Sequence, residues 1–241
     1  MILTIYIIIL SCFLLGGIAF YVIDRQTDRE TARNNRIKYI TYFFIIHLLF
    51  LSIVFETMVF QFISIGIVMT GIGELIHVFR KSGYQKKALF VFSMGIFLAL
   101  SAGFIFFGHQ GKGLILFTFL VLSIFDAFSQ ISGQLIGKTR IIPSISPNKT
   151  LEGLAGGALF AVAGSLLLKN IIGMQTIDGL LLTAGILLFA FLGDMAMSAY
   201  KRNYGVKDFS KLLPGHGGFL DRFDSLIAGG TFAVLFEVVL L

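Results

Sequence analysis

The chain is 241 residues long, 56% hydrophobic and only 13% charged, with a net charge of +6 and a single cysteine. Soluble domains carry about 25% charged residues, so a water-soluble globular class is excluded, and the short alternating segments of a membrane β-barrel are absent. Cys12 has no partner for an intrachain disulfide or a cysteine-based metal site, and excess Lys and Arg in such a chain reports topology, not nucleic-acid binding.

In chain order, apolar runs of about 20 residues predict an all-α, polytopic integral membrane protein. About eight transmembrane helices are expected, roughly at 1–23, 39–55, 57–79, 88–107, 113–136, 151–168, 177–200 and 224–241. The first run is followed, not preceded, by positive charge, so it reads as a retained helix with its N-terminus outside. A basic loop over 24–38 comes next, with Arg25, Arg29, Arg33, Arg36 and Lys38. Only Glu56 and its neighbours mark a turn within 39–79, and a single long tilted helix there would invert everything upstream. Glu74 and His77, near the inner end of the third run, read as structural. Arg80, Lys81, Lys86 and Lys87 form a second basic loop.

The fifth run contains Asp126. A carboxylate inside a span costs several kcal/mol unless it is paired, bound to metal or facing a wet cavity. Gln130, Gly133 and Gly137 follow on the same helix face, which is polar and small and suits either a functional cleft or close helix packing. The polar stretch 137–152 then reads GKTRIIPSISPNKTLE. Pro147 bars a continuous helix. Thr150 is placed as the N-cap of the sixth helix, with Glu152 in its first turn, and a helix N-terminus with Lys149 beside it favours anions. Ser146 and Asn148 lie in the same stretch. Lys138 and Arg140 read as topology and headgroup charges.

The seventh run ends in Asp194, Ser198 and Lys201 on one face, and 198–224 continues as SAYKRNYGVKDFSKLLPGHGGFLDRFD. Its Pro214-Gly215-His216-Gly217-Gly218 turn offers backbone N–H groups to phosphate oxygens, or is a plain turn. Asp221 and Asp224 lie within one helical turn of each other, as hard oxygen ligands for Mg²⁺ do. Lys201, Arg202, Lys207, Lys211 and Arg222 can neutralise phosphate. His216 is a candidate for phosphate contact ahead of proton transfer. Of the 19 lysines and arginines, all but Lys112 and Lys169 fall in the first two basic loops and these two polar stretches. That sorting places both stretches, and the site, at the cytoplasmic face. One integral domain, 1–241, is expected, with N-terminal helices in 1–110 and catalytic helices and loops in 111–241.

The chain resembles the phosphatidate cytidylyltransferases (CDP-diacylglycerol synthases). Their signature is matched by Ser198, Lys201-Arg202, Lys207-Asp208, Pro214-Gly215-His216-Gly217-Gly218 and Asp221-Arg222-Phe223-Asp224 at the same spacing. The upstream element is matched by Asp126, Gly133 with Gly137-Lys138, Ser146-Pro147, Lys149-Thr150 and Glu152-Gly153. The resemblance is strong over about 115–241. The chain is short for that family and departs from its pattern at Gln130, Gln134, Met197 and Tyr200. The resemblance implies transfer of a cytidylyl group from CTP to phosphatidate or a related lipid phosphate, in a bacterial inner membrane, with Mg²⁺ and room for a second cation. It implies Asp221, Asp208, Lys201, Arg202 and His216 as catalytic residues and Asp126, Asp194, Asp221 and Asp224 as metal ligands. Lys149, Lys207, Arg222, Gly217, Gly218, Ser146, Asn148 and Ser198 would bind substrate. Membrane lipids are expected partners and nucleic acid is not; a homodimer is left open. A CTP-dependent lipid kinase, a CDP-archaeol-type synthase and a non-catalytic lipid-binding scaffold are the competing readings.

Overall fold

Eight α-helices follow one another along the chain: α1 (Ile2–Asp24), α2 (Arg29–Phe55), α3 (Thr57–Lys81), α4 (Lys87–Phe107), α5 (Lys112–Ile136), α6 (Leu151–Ile172), α7 (Thr176–Asn203) and α8 (Leu220–Leu240). They come from a computed structural model, which describes residues 2–25, 29–210, 212–213 and 217–240. Among the described residues, α3 to α7 are long and apolar enough to cross a bilayer, and α2 carries a shorter apolar stretch, Tyr39–Phe55. The chain is a helical membrane protein.

The break inside 39–79 is real. Glu56 is extended (φ −151°, ψ 106°) and its side chain accepts from the Met58 N–H at 3.5 Å, so α2 ends and α3 begins there. The two helices fold back and pack on each other. Three boundaries differ from expectation. The segment read as a basic loop is helical from Arg29 onward, because Arg, Glu, Ala and Lys are good helix formers and their charges tolerate a polar environment. A short antiparallel hairpin, β1 (Arg140–Ile142) and β2 (Ser146–Thr150), occupies what an all-α reading leaves as loop. Pro143 turns it, and Pro147 sits on a strand that has no second neighbour among the described residues. Finally, α8 starts at Leu220, four residues before the predicted start, which brings Asp221 and Arg222 into the helix.

The core is aromatic and aliphatic, with Phe60, Phe97, Phe104, Phe107 and Phe117 fully buried. α8 is central: it packs on α3, α4, α5 and α7. Close approach is bought with glycine. A Cβ on Gly230 would meet Phe107 at 2.8 Å, and one on Gly193 would meet Ala228 at 2.6 Å. Between α5 and α6 the contact is the most extensive in the molecule, and Gly153, Gly156 and Gly157 bring α6 onto Ser129, Ser132 and Gly133.

Side-chain contacts gather alternate loops at opposite ends. At one end Lys86 donates to the Asn203 carbonyl (2.6 Å), Tyr204 to the Lys86 carbonyl (3.2 Å) and Arg202 to the Ile145 carbonyl (3.1 Å). That end joins the connections after α3, α5 and α7. At the other end Lys112 donates to the Val54 carbonyl (3.2 Å), closing the C-terminus of α2.

Candidate active site

The site is built where α5, the hairpin, α7 and α8 meet. Thr150 caps α6: it is extended, and its Oγ1 accepts from the Gly153 N–H at 3.2 Å. Glu152, in the first turn, accepts from the Lys138 and Thr139 N–H groups at 3.0 and 3.1 Å. Those two bonds fasten the end of α5 to the start of α6. The hairpin then presents Lys149 toward Asp194 of α7, with which it forms an ion pair. Asp126 of α5 and Asp224 of α8 also lie within electrostatic reach of Lys149. Burial pushes the Lys149 ammonium below the ordinary lysine range, Lys201 adds to that, and Asp224 and Asp126 oppose it. Ser198 donates to Asp194 at 3.3 Å, one turn along α7.

The second cluster is centred on Lys201 and Asp221. Lys201 is only 7% exposed and forms an ion pair with Asp221 Oδ1. Asp221 Oδ2 accepts from the N–H groups of Gly218 (2.8 Å) and Phe209 (3.2 Å). Asp224, 7% exposed, lies within electrostatic reach of Lys201, Lys149 and Asp221 and so stands between the two clusters. Arg222 is exposed on the same helical turn, within reach of Asp126.

The four acids expected as one metal shell are therefore distributed. Asp194 pairs with the Lys149 ammonium, and Asp126 and Asp224 act on it through space, whereas Asp221 is engaged by Lys201 and two amides. Among the described residues no three His, Cys, Asp or Glu side chains form a ready-made metal cage. The donor set still fits Mg²⁺, which takes one or two carboxylates and completes its shell with water and substrate phosphates. One ammonium paired with Asp194 and within the field of two further carboxylates marks a place where a cation is favoured.

Other expected residues fall as follows. Gly217 has φ +84°, a conformation glycine supplies without strain, and Asp208 lies against it. The Gly218 N–H is taken by Asp221, so within the structure that amide serves a carboxylate and not an open anion nest. Arg202 donates to the carbonyls of Ile145 and Val206, both at 3.1 Å, and ties the two polar stretches together. Lys207, Asp208 and Asn148 are exposed, and Ser146 is half-buried in β2. Lys211, Pro214, Gly215 and His216 lie outside the described residues. The pairing of Asp194 with Lys201, which their spacing on α7 allows, is replaced by Asp194–Lys149 and Lys201–Asp221.

Two residues of the N-terminal half reach the site. Glu74, read from the sequence as structural, accepts from Ser210 and from the Phe219 and Leu220 N–H groups at 2.8 and 2.7 Å. The signal was present: an acid inside an apolar run, the same feature that singled out Asp126. Tyr42 of α2 lies within electrostatic reach of Asp126 and Arg222, and nothing in its local sequence distinguishes it from the other aromatics of that helix.

A model of the cytidylyltransferase family matches residues 87–240. The chain is 40% identical over 152 residues to the phosphatidate cytidylyltransferase of Staphylococcus epidermidis, covering 59% of this chain and 58% of the relative. It is 44% identical over 120 residues to the phosphatidate cytidylyltransferase of Staphylococcus saprophyticus, covering 49% and 46%. A third relative, the uncharacterized protein YnbB of Escherichia coli, is 43% identical over 118 residues, covering 48% of this chain and 40% of that one. The chain thus spans a little over half the length of these relatives at most.

Proposed function

This chain belongs to the cytidylyltransferase family, and from that premise we propose that it transfers the cytidylyl group of CTP to phosphatidate, giving CDP-diacylglycerol and pyrophosphate. The observation that carries the reading is the pair of neighbouring ion pairs, Lys149–Asp194 and Lys201–Asp221, with Asp126, Asp224 and Arg222 within their electrostatic reach, in a helical membrane bundle. A lipid phosphate and a nucleoside triphosphate can meet at such a place. The lipid phosphate oxygen bonds to the α-phosphorus of CTP, the bridge to the β-phosphate breaks, and pyrophosphate leaves. Both reactants are anions, so neutralisation and in-line positioning are the main tasks. Lys201 supplies buried positive charge, Lys149 half-buried charge, and Arg222 and Lys207 exposed charge. Arg202 holds the loops that present them. The attacking oxygen is already ionised, so His216 is not needed as a strong base.

Asp126, Asp194, Asp221 and Asp224 would hold Mg²⁺, drawn from both clusters. Bound there, the ion would neutralise charge on the reacting phosphates and on the leaving group. The basic residues of the loops at this end support a cytoplasmic orientation, in which CTP is available.

The test offers the purified protein phosphatidate in micelles with CTP labelled at the α- or the γ-phosphate. Cytidylyl transfer puts only α label into lipid. Lipid labelled from the γ position would make the protein a kinase, and label appearing only with ether lipids would make it an archaeol-type synthase. No label from either position, with Mg²⁺ present and the protein folded, would leave a scaffold. EDTA should silence the transfer and added Mg²⁺ should restore it.

A further inference from the structure

The first residues of α8 carry Asp221, Arg222 and Asp224, so whatever fixes the start of that helix fixes three charged groups at once. The residue before the helix is Phe219, whose side chain cannot accept a hydrogen bond, so α8 lacks a local cap of the Ser, Thr, Asp or Asn type. Two of its orphan amides are nevertheless satisfied from another helix. Glu74 of α3 accepts from the Phe219 N–H (2.8 Å) and the Leu220 N–H (2.7 Å), and from the Ser210 hydroxyl in the preceding loop. A carboxylate at a helix N-terminus is also where the helix dipole favours negative charge. Glu74 is 3% exposed, and these three hydrogen bonds offset the cost of burying its carboxylate.

A second bond ties the adjacent residue. The Tyr200 hydroxyl donates to the Leu75 carbonyl at 3.0 Å, and Tyr200 is 2% exposed. Consecutive residues of α3 (Glu74, Leu75) thus hold the neighbours of both partners of the ion pair: Tyr200 beside Lys201 on α7, and Leu220 beside Asp221 on α8. The Lys201–Asp221 ion pair lies between these two attachments. Residues 57–81 precede the 87–240 segment that defines the family match.

We propose that Glu74 is a positioning residue for the reaction: α3, through this one carboxylate, caps α8 and holds the loop before it, with the Tyr200 hydroxyl setting the register. The inference rests on the cytidylyltransferase reading only for its kinetic part. Its structural part is read by hydrogen exchange on the full-length protein in detergent, in the wild type and in Glu74→Gln, Glu74→Asp and Tyr200→Phe.

Glu74→Gln keeps the volume and loses the charge. It should speed exchange of the 218–222 amides by about tenfold or more while amides of α5 and α6 stay within about twofold. It should lower kcat by about tenfold or more, and Glu74→Asp, which keeps the charge, should recover part of both effects. Tyr200→Phe should speed exchange over the same segment by a smaller factor. Unchanged exchange at 218–222 in Glu74→Gln overturns the proposal, because the helix then holds its start unaided. An equal rise in every helix overturns it as well, because Glu74 then acts in general packing. Faster local exchange with wild-type kcat removes the positioning role. A wild type inert toward CTP and every lipid phosphate offered, with the exchange pattern as expected, sinks the functional reading and leaves the α3 cap standing.

Discussion

Asp221 has both carboxylate oxygens occupied, one by Lys201 and the other by the amides of Phe209 and Gly218. Replacing it by Asn removes the charge that balances Lys201 while keeping the shape. Asp221→Asn should abolish cytidylyl transfer with the protein still inserted and folded. Retention of more than about a tenth of the activity, a loss under about 1.4 kcal/mol in barrier, would take Asp221 out of the reacting centre. Lys149 has the complementary position, one ammonium paired with Asp194 and within electrostatic reach of Asp126 and Asp224. Lys149→Met leaves those acids without their shared cation, and kcat/KM should fall by about tenfold or more. Lys149→Arg should fall less, because the charge survives. Equal losses for Met and Arg would mean that the side chain's shape and not its charge is what matters.

Between elements, glycine sets how closely α6 approaches α5. A Cβ at Gly157 would meet the Ser129 hydroxyl and come within 2.7 Å of the Phe125 carbonyl, and backbone cannot give way as a side chain can. Gly157→Val should destabilise the fold by about 1–3 kcal/mol through overpacking. Gly73→Ala, in an open position on α3, serves as the control and should be neutral or slightly stabilising. Unfolding midpoints in detergent would separate the two, and equal midpoints would show that α5 and α6 are not locked by this contact. The same interface carries Thr150 and Glu152, so a shift of α6 would move Lys149 relative to Asp194.

At the scale of the whole molecule, the loops after α3, α5 and α7 meet at one end, and Lys112 closes α2 at the other. The basic residues follow the same division. With Cys12 replaced by Ser, single cysteines at Ser82, Gly111, Ser144 and Leu212 report each end. An impermeant thiol reagent outside intact cells should label only Gly111→Cys. Labelling at Ser144→Cys or Leu212→Cys would put the site away from cytosolic CTP and end the proposed mechanism.

Hydropathy by itself determined the helical membrane class and the location of each helix to within a few residues at most ends, because a bilayer requires long apolar stretches whatever their partners. Residue type and spacing singled out the candidate site residues and the Thr150 cap, since both depend on local order. Tertiary structure decided what spacing leaves open. Asp194 could reach Lys201 along its own helix but pairs with Lys149 from the hairpin, and Lys201 turns to Asp221. The start of α8 escaped the sequence for the same reason: its cap is Glu74, about 145 residues away and on another helix. Local propensity can mark a helix end only when the group that satisfies its amides is local too.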